Sequence, residues 1–330
     1  MTRSKRIIVI VNRKAARARK AWPRIAERLA REDIAFDAHH AGERDETENV
    51  TRRALGEGYQ IIAIVGGDGT LSEAARGFFE SPTDDATLAP APVNRAAALA
   101  VLPAGTGDDF ARGLTGRRAP LDEWLARFTT YCRNSGESLA RVVDVLWAQT
   151  TDALVREGAR RFVCLNAATL GIGAEVAASV TAQSETLRRA PGEVRFALAA
   201  LAALKRWRER RVEICIDGNS FACETNLIAI TNGTYAGGGM NFAPRARLDD
   251  GMLDVVTACG ISRSELLREL PRVYRGGHVA NPKVRVMRGA RVRIETERPE
   301  DAMPVEADGD VRGHTPLEFQ VMPAALRVIA

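Results

Sequence analysis

The chain has 330 residues, 45% of them hydrophobic and 27% charged, and this length favours two globular domains over one. Its net charge of +5 suits anionic substrates or an anionic membrane surface, but it is too small to indicate nucleic-acid binding. The sequence has no apolar run near the roughly 20 residues of a membrane span, and its cysteines form no C-x-x-C pair, which predicts buried free thiols in a reducing cytosol.

The first third of the sequence alternates between strand-like and helix-like segments. Strands are predicted at 7–11, 34–39, 61–65 and 97–102, and helices at 16–31 and 43–57. This alternation predicts a doubly wound α/β domain, in which a parallel sheet carries helices on both faces. Ligands bind such sheets at the carboxyl ends of the strands, so the loops that follow the strands are candidate binding elements.

Two glycine turns, at 66–70 and 103–107, each follow a predicted strand. A strand, a glycine turn and a helix N-terminus form a phosphate cradle, because backbone N–H groups and the helix dipole both favour an anion. A carboxylate beside a phosphate is repulsive unless a cation lies between them, so Asp68 in the first turn indicates bound Mg²⁺. The P-loop pattern is absent from the sequence, and Gly171-Ile172-Gly173 lacks the third glycine of a dinucleotide fingerprint.

After about residue 137 strand-like runs dominate and turn signals separate them, which predicts a mostly antiparallel β domain. The predicted strands are 139–148, 161–167, 212–216, 226–231, 253–258, 284–286, 292–296 and 317–321. One helix is predicted at 193–210, with Val194, Leu198, Leu201 and Leu204 on one face. A basic run from Lys205 to Arg211 ends it.

The glycine turns and the C-terminal half together resemble a known family. Gly66–Thr70 and the following LPAGTGDDFAR at 102–112 resemble the catalytic domain of the diacylglycerol kinase and sphingosine kinase superfamily. Several later segments resemble the soluble bacterial lipid kinases: 232–239, Pro244, 249–253, Asp308-Gly309-Asp310 and 322–327. The resemblance implies an N-terminal α/β nucleotide domain like that of phosphofructokinases and NAD kinases, at 1–136. It also implies a β-sandwich-like lipid domain at 137–330, whose last strand can return to the first domain.

The resemblance also implies roles for individual residues. The ATP-binding positions are Gly66, Gly67, Asp68, Gly69, Thr70, Gly105 and Thr106. Asp68 is expected to act on the phosphates through Mg²⁺ and water. A second magnesium site is implied at Asp250, with the backbone carbonyls of Arg247 and Met252, although an ordinary Asp-Gly turn is the alternative for this segment. Asp310 occupies the position of the general base.

Three positions depart from the family pattern. The base position holds Asp310 instead of glutamate, so a shorter side chain must reach the acceptor hydroxyl. Asp108 replaces an asparagine and adds negative charge near the phosphates. The N-terminal Asn-Pro-x-Ser-Gly signature survives only as Asn12, and the basic residues after it either meet anions or form a solvated helix face: Lys14, Arg17, Arg19 and Lys20.

The sequence therefore predicts an ATP- and Mg²⁺-dependent lipid kinase, with diacylglycerol as the default acceptor. The acceptor must come from a membrane, so a cytoplasmic protein that binds an anionic membrane surface peripherally is expected. Nucleic acid is not an expected partner, and a homodimer stays open. Two alternatives also stay open: a NAD kinase-like enzyme with a soluble acceptor, and a catalytically silent lipid-binding regulator.

Overall fold

A computed structural model describes residues 5–81, 89–133, 139–150, 160–183 and 192–330 of the chain. In the first half, apolar strands alternate with helices as the sequence predicts. The strands are β1 (Ile7–Asn12), β2 (Asp37–Ala41), β3 (Ile61–Gly66) and β4 (Ala98–Pro103). The helices are α1 (Ala16–Arg31), α2 (Glu46–Gly56), α3 (Asp68–Gly77), α4 (Asp109–Thr115) and α5 (Leu121–Arg133).

The four strands of the first half form a parallel sheet in the order β2-β1-β3-β4. All six residues of β3 are buried, because the strand is covered on both faces, as parallel strands are in α/β domains. Strand β3 ends at Gly66 and helix α3 begins at Asp68, so the first glycine turn lies at the carboxyl edge of the sheet. The end of β4 brings the second glycine turn to the same edge.

The second half is β-rich, as the sequence predicts. Its longer strands are β5 (Ala140–Thr150), β6 (Arg160–Cys164), β7 (Ala167–Gly171), β8 (Arg210–Ile216), β9 (Asn219–Thr231), β12 (Leu253–Cys259), β13 (Val284–Gly289), β14 (Arg291–Thr296) and β17 (Leu317–Ile329). Four short strands form hairpins: β10 (Tyr235–Ala236) with β11 (Met240–Asn241), and β15 (Pro304–Ala307) with β16 (Asp310–His314). The helices here are α6 (Ile172–Thr181), α7 (Gly192–Lys205) and α8 (Arg263–Val273).

Strand β17 joins the two halves. Its beginning pairs antiparallel with β14, whereas Arg327–Ile329 pair in parallel with Ala98–Ala100 of β4. Along its length β17 also pairs with β5, with a bulge between Met322 and Leu326. The last strand therefore returns to the first sheet, and the two halves meet beside the glycine turns. Both parts of the predicted fold, the parallel α/β sheet and the mostly antiparallel β region, are confirmed.

Helix α7 does not pack with the face that the leucine spacing suggests. Leu198 and Leu201 are exposed, whereas Ala199 and Ala203 are buried against α6 and its surroundings. Leu204 is buried as well, and the side chain of Val194 lies outside the described residues. Small side chains let the two helices approach closely, and this overrides the larger leucine stripe. Among the described residues no helix has the length and apolar character needed to cross a bilayer.

Candidate active site

The two glycine turns touch each other at the carboxyl edge of the parallel sheet. A Cβ added to Gly105 would come within 2.5 Å of the Gly67 Cα, and one added to Gly67 would come within 3.0 Å of the Gly105 Cα. Only residues without a side chain allow this approach. The predicted ATP-binding positions of the two turns are therefore one contiguous surface, with Thr106 exposed on its rim.

The loop after β1 is fastened to the first glycine turn. Asn12 donates a hydrogen bond from its amide to Thr70 Oγ1 at 2.7 Å, and its carbonyl oxygen accepts the backbone N–H groups of Lys14 and Ala15. Arg17 reaches across and donates to the backbone carbonyl of Gly105 at 2.7 Å. One of the four basic residues after Asn12 thus lies at the glycine turns, which places positive charge beside the predicted ATP-binding positions.

Three carboxylates, Asp68, Asp108 and Asp109, lie beside these turns, and we call them the glycine-turn cluster. Asp68 Oδ1 accepts the N–H of Phe110 at 3.1 Å. Burial, followed by the nearby charge of Asp109, raises the pKa of Asp68 to about 7. Burial also raises the pKa of Asp109. Negative charge is therefore concentrated in a poorly solvated place.

The unexpected Asp108 is neutralised locally. Its Oδ1 accepts the N–H of Gly105 at 2.8 Å, and its Oδ2 lies 3.3 Å from the Arg118 guanidinium. Its backbone is left-handed, with φ of 53°, a conformation that aspartate tolerates better than most residues. The extra carboxylate therefore shapes the second glycine turn and carries its own counter-charge.

The other two members of the cluster fit a divalent cation. Asp109 is buried, and its Oδ2 accepts the N–H of Gly238 at 2.7 Å, while its Oδ1 has no hydrogen-bond partner among the described residues. Asp68 has no ion pair with a basic side chain in the described part of the chain. Hard oxygen donors of this kind are what Mg²⁺ prefers, and the ion would complete its shell with water and ATP oxygens. No three acidic, histidine or cysteine side chains of the described residues form a ready-made metal cage.

The Asp308-Gly309-Asp310 segment forms the turn of the β15–β16 hairpin. Asp308 and Gly309 both have positive φ, 50° and 96°, which is the two-residue turn that Asp-Gly favours. Asp308 accepts the backbone N–H groups of Leu165, Asn166 and Ala167. Its Oδ2 also accepts the hydroxyl of Ser72 at 2.7 Å.

Ser72 lies one helical turn after Asp68 on α3, so the Asp308 bond holds the hairpin turn against the helix that begins at the first glycine turn. The two sequence motifs, separated by 236 residues at this contact, therefore lie next to each other in the fold. Because Asp308 accepts so many hydrogen bonds, we interpret it as a clamp and not as a proton acceptor.

Asp310 lies next to this clamp on β16. Its carboxylate forms an ion pair with Arg312 at 2.9 Å and keeps 44% of its side chain exposed. Burial raises the pKa of Glu73 on α3, and the nearby charge of Asp310 adds to this shift. Asp310 therefore faces the same helix as Asp68, and its accessible carboxylate can meet an acceptor that enters from solvent.

A third carboxyl lies in the same hairpin. Glu306 Oε2 accepts the hydroxyl of Thr169 at 2.7 Å. Burial raises the pKa of Glu306 to about 7, and the neighbouring Asp308 and Asp310 add to the shift. We call Glu306, Asp308 and Asp310 the hairpin carboxylates.

The predicted second magnesium site is less suited to a metal. Asp250 forms an ion pair with Arg288, and its Oδ1 accepts the N–H of Met252 at 3.2 Å. A cation of the protein itself thus already faces this carboxylate. The three residues Arg247, Asp250 and Met252 are neighbours in the turn before β12. A metal at this site would share the Asp250 carboxylate with Arg288, and the second magnesium site stays a prediction.

Comparison with known proteins agrees with both halves of this architecture. Residues 6–145 match the family model "Diacylglycerol kinase catalytic domain", and residues 168–330 match "YegS C-terminal NAD kinase beta sandwich-like domain". The chain belongs to the family of diacylglycerol kinase-like lipid kinases. The resemblance read from the glycine turns and the C-terminal motifs is thereby confirmed.

Curated relatives are similar over most of their length. A Mycobacterium tuberculosis protein named "Diacylglycerol kinase" is 28% identical over 90% of this chain and 84% of its own. A Pseudomonas aeruginosa protein named "Probable lipid kinase YegS-like" is 29% identical over 99% of this chain and 95% of its own.

Solved structures share the fold. A Bacillus anthracis diacylglycerol kinase structure has a TM-score of 0.67 at 20% identity, covering 100% of this chain and 98% of its own. Yeast NADH kinase has a TM-score of 0.56 at 11% identity, covering 100% of this chain and 84% of its own.

Several residues of the site were not singled out from the sequence. Asp109 was quoted within a motif but given no role, and neither Ser72 nor Arg118 carried any signal. Asp308 lies in a segment that resembles the family, but its contact with Ser72 depends on how the two halves meet. The glycines at 237–239 lie in another such segment, and nothing local reveals that Gly238 holds Asp109.

Proposed function

We propose that this protein transfers the γ-phosphate of ATP to the hydroxyl of a membrane lipid, with diacylglycerol as the first acceptor to test. The Ser72–Asp308 contact is the main support, because it holds the hairpin that carries Asp310 against the helix that begins at the first glycine turn. The relatives named as diacylglycerol and lipid kinases support the same choice of acceptor.

In the proposed reaction the phosphates lie on the glycine turns and Arg17 faces them. Mg²⁺, when bound by Asp68 and Asp109, would neutralise the phosphate charge. The lipid hydroxyl attacks the γ-phosphorus in line, an O–P bond forms, the bond to the β–γ bridging oxygen breaks, and ADP leaves. The Asp310 carboxylate takes the hydroxyl proton.

The shorter aspartate at the base position is compatible with this role. Asp310 shares its hairpin with the Asp308 clamp, which fixes the height of the turn above α3. Its ion pair with Arg312 orients the carboxylate, and the side chain is exposed enough to meet an acceptor. A bound hydroxyl has to share this carboxylate with the Arg312 guanidinium.

Labelled ATP offered to separate acceptors tests the proposal. We expect radioactivity from [γ-³²P]ATP to enter the organic phase with diacylglycerol vesicles or total bacterial lipid, and NAD to stay unlabelled. Label in NAD alone would favour the soluble-acceptor enzyme that shares this fold. Purified protein that transfers label to none of these acceptors would favour a silent lipid-binding regulator.

A further inference from the structure

Helix α8 exposes a stripe of large apolar side chains. Leu267, Leu270 and Tyr274 at its end are 49%, 38% and 48% exposed. Their spacing of three and four residues puts them on one face of the helix. Contiguous exposed apolar side chains on a helix are unusual unless something covers them.

The exposed side of this helix is also positively charged. Its two acidic residues are engaged: Glu265 with Lys283 and its own N-cap Ser262, and Glu269, which is buried, with Arg272. Exposed arginines remain along the helix and just after it: Arg263, Arg268, Arg272 and Arg275. Arg268 and Arg275 have no carboxylate partner in the described part of the chain. The combination of apolar side chains and arginines complements an anionic lipid surface.

The basic run at 205–211 is a poorer docking element than its sequence indicates. Arg208 is paired with Asp301, Arg210 with Glu175 and Arg211 with Glu297. Much of its charge is therefore neutralised within the protein.

The inner face of α8 packs against the β10–β11 hairpin and the residue after it. Val273 belongs to one apolar cluster with the hairpin residues Ala236, Met240 and Phe242. The same hairpin presents the N–H of Gly238 to Asp109 at 2.7 Å. Just after the helix, His278 is hydrogen-bonded to the backbone carbonyl of Phe242 at 3.0 Å. A surface that touches the outer face of α8 would thus be separated from the glycine-turn cluster by one hairpin.

We propose that α8 is the element that docks this protein on an anionic bilayer, with Leu267, Leu270 and Tyr274 inserted and the arginines among the lipid headgroups. The inference rests on the proposed function, because a lipid acceptor must leave a bilayer to reach the cleft. The proposed docking surface on α8 is separate from the basic run at 205–211.

Co-sedimentation with vesicles of phosphatidylglycerol and phosphatidylcholine measures the docking without any turnover. We expect Leu267→Ser/Leu270→Ser and Arg268→Glu/Arg275→Glu each to lower the partition coefficient at least tenfold. The arginine variant should also lose the salt dependence of wild-type binding, since screening acts over about 8 Å at physiological ionic strength. Binding at wild-type strength by both variants would overturn the proposal.

Two matched variants separate the helix from general effects. Arg53→Glu/Arg95→Glu makes the same charge change at two exposed arginines of the first half, and it should bind almost as wild type. Leu198→Ser/Leu201→Ser removes the equally exposed leucine pair of α7 and should retain most of the binding. An equal loss in the arginine control, or a loss confined to the α7 pair, would contradict docking through α8.

A water-soluble short-chain diacylglycerol distinguishes docking from catalysis. The α8 variants should phosphorylate it at wild-type rates while losing activity on vesicles. If wild type phosphorylates no lipid but its vesicle binding still depends on α8, the proposed function fails and the docking surface stands. If the α8 variants lose activity equally on soluble and vesicle acceptors, α8 is structural and the docking proposal fails.

Discussion

The glycine-turn cluster and the hairpin carboxylates are two acidic groups that both lie near helix α3. They differ in how their charge is balanced. Asp68 and Asp109 have no ion pair among the described residues, and one oxygen of Asp109 has no partner there. In the hairpin, five donors surround Asp308, and Arg312 pairs with Asp310. Asp68 and Asp109 therefore need a cation from outside, whereas Asp310 is paired with Arg312 and Asp108 with Arg118.

This difference assigns the two groups different tasks. Two neighbouring carboxylates without an ion pair within the described ranges, Asp68 and Asp109, are suited to a metal and the phosphates that the metal binds. A carboxylate held by a neighbouring guanidinium and left partly exposed is suited to accept a proton at a fixed place.

The largest effect is expected for Asp68→Asn, which removes one of the two carboxylates without an internal partner. Turnover should fall by more than about 10⁴-fold, because charge neutralisation at the phosphates dominates phosphoryl transfer. The fold should persist, since Asp68 lies on a turn at the edge of the sheet. Initial rates with labelled ATP give the measurement, and Asp122→Asn on an exposed surface is the control. Near wild-type rates in Asp68→Asn would remove the metal role from this residue.

Asp310→Asn should lower kcat by about 10²–10⁴-fold, the usual contribution of a general base. The KM for ATP should change little, because the side chain faces the acceptor. Asp310→Glu sharpens the result: it keeps or raises activity if the cleft fits the glutamate of the family, and lowers it if the hairpin has adapted to aspartate. An asparagine variant with wild-type kcat would show that Asp310 is only a turn residue.

Asp308→Asn should destabilise the protein by about 2 kcal/mol, because charged hydrogen bonds to three backbone N–H groups are weakened. Asp217 offers a matched control: it also has positive φ in an Asp-Gly turn, and it accepts the N–H groups of Ala290 and Arg291. Asp217→Asn should cost stability alone, whereas Asp308→Asn should also reduce kcat. Urea unfolding and initial rates separate the two effects, and equal kcat values would mean that the clamp does not position the hairpin.

A separate expected effect, on stability and not on turnover, is a pH dependence of the free energy of unfolding. The pKa of Asp68 and that of Glu306 are raised from 3.8 and 4.5 to about 7, so the folded protein binds protons that the unfolded chain has released. When a chelator keeps divalent cations away, the free energy of unfolding should therefore fall as pH rises from about 4 to 7. Asp68→Asn and Glu306→Gln should each flatten this slope.

Mg²⁺ distinguishes the two carboxyls in the same experiment. Added Mg²⁺ should restore stability at pH 8 in wild type and in Glu306→Gln, but not in Asp68→Asn. A Mg²⁺ response that survives Asp68→Asn would place the cation elsewhere.

The sequence predicts the parts of this site that depend on local structure. The buried β-branched run before Gly66 specifies β3, and three glycines with a following helical pattern specify the turn at its end. The tight turn at Asp308-Gly309 is a finding of the structure, where both positions have positive φ.

Long-range contacts were beyond sequence reasoning. The Ser72–Asp308 and Asp109–Gly238 bonds join segments 236 and 129 residues apart, and they exist only because β17 brings the two halves together. The buried face of α7 and the exposed face of α8 also could not be predicted from the sequence. Packing of alanines against α6 decides which face of α7 is buried. The partial neutralisation of the arginines near 205–211 is visible only in three dimensions.

Binding of MgATP, compared with turnover in the same preparations, tests the division of tasks most directly. Titration calorimetry with a non-hydrolysable ATP analogue and Mg²⁺ should show wild-type affinity for Asp310→Asn and at least about tenfold weaker binding for Asp68→Asn. Both variants should be nearly inactive on diacylglycerol vesicles. Weakened MgATP binding in Asp310→Asn, or unchanged binding in Asp68→Asn, would contradict the account.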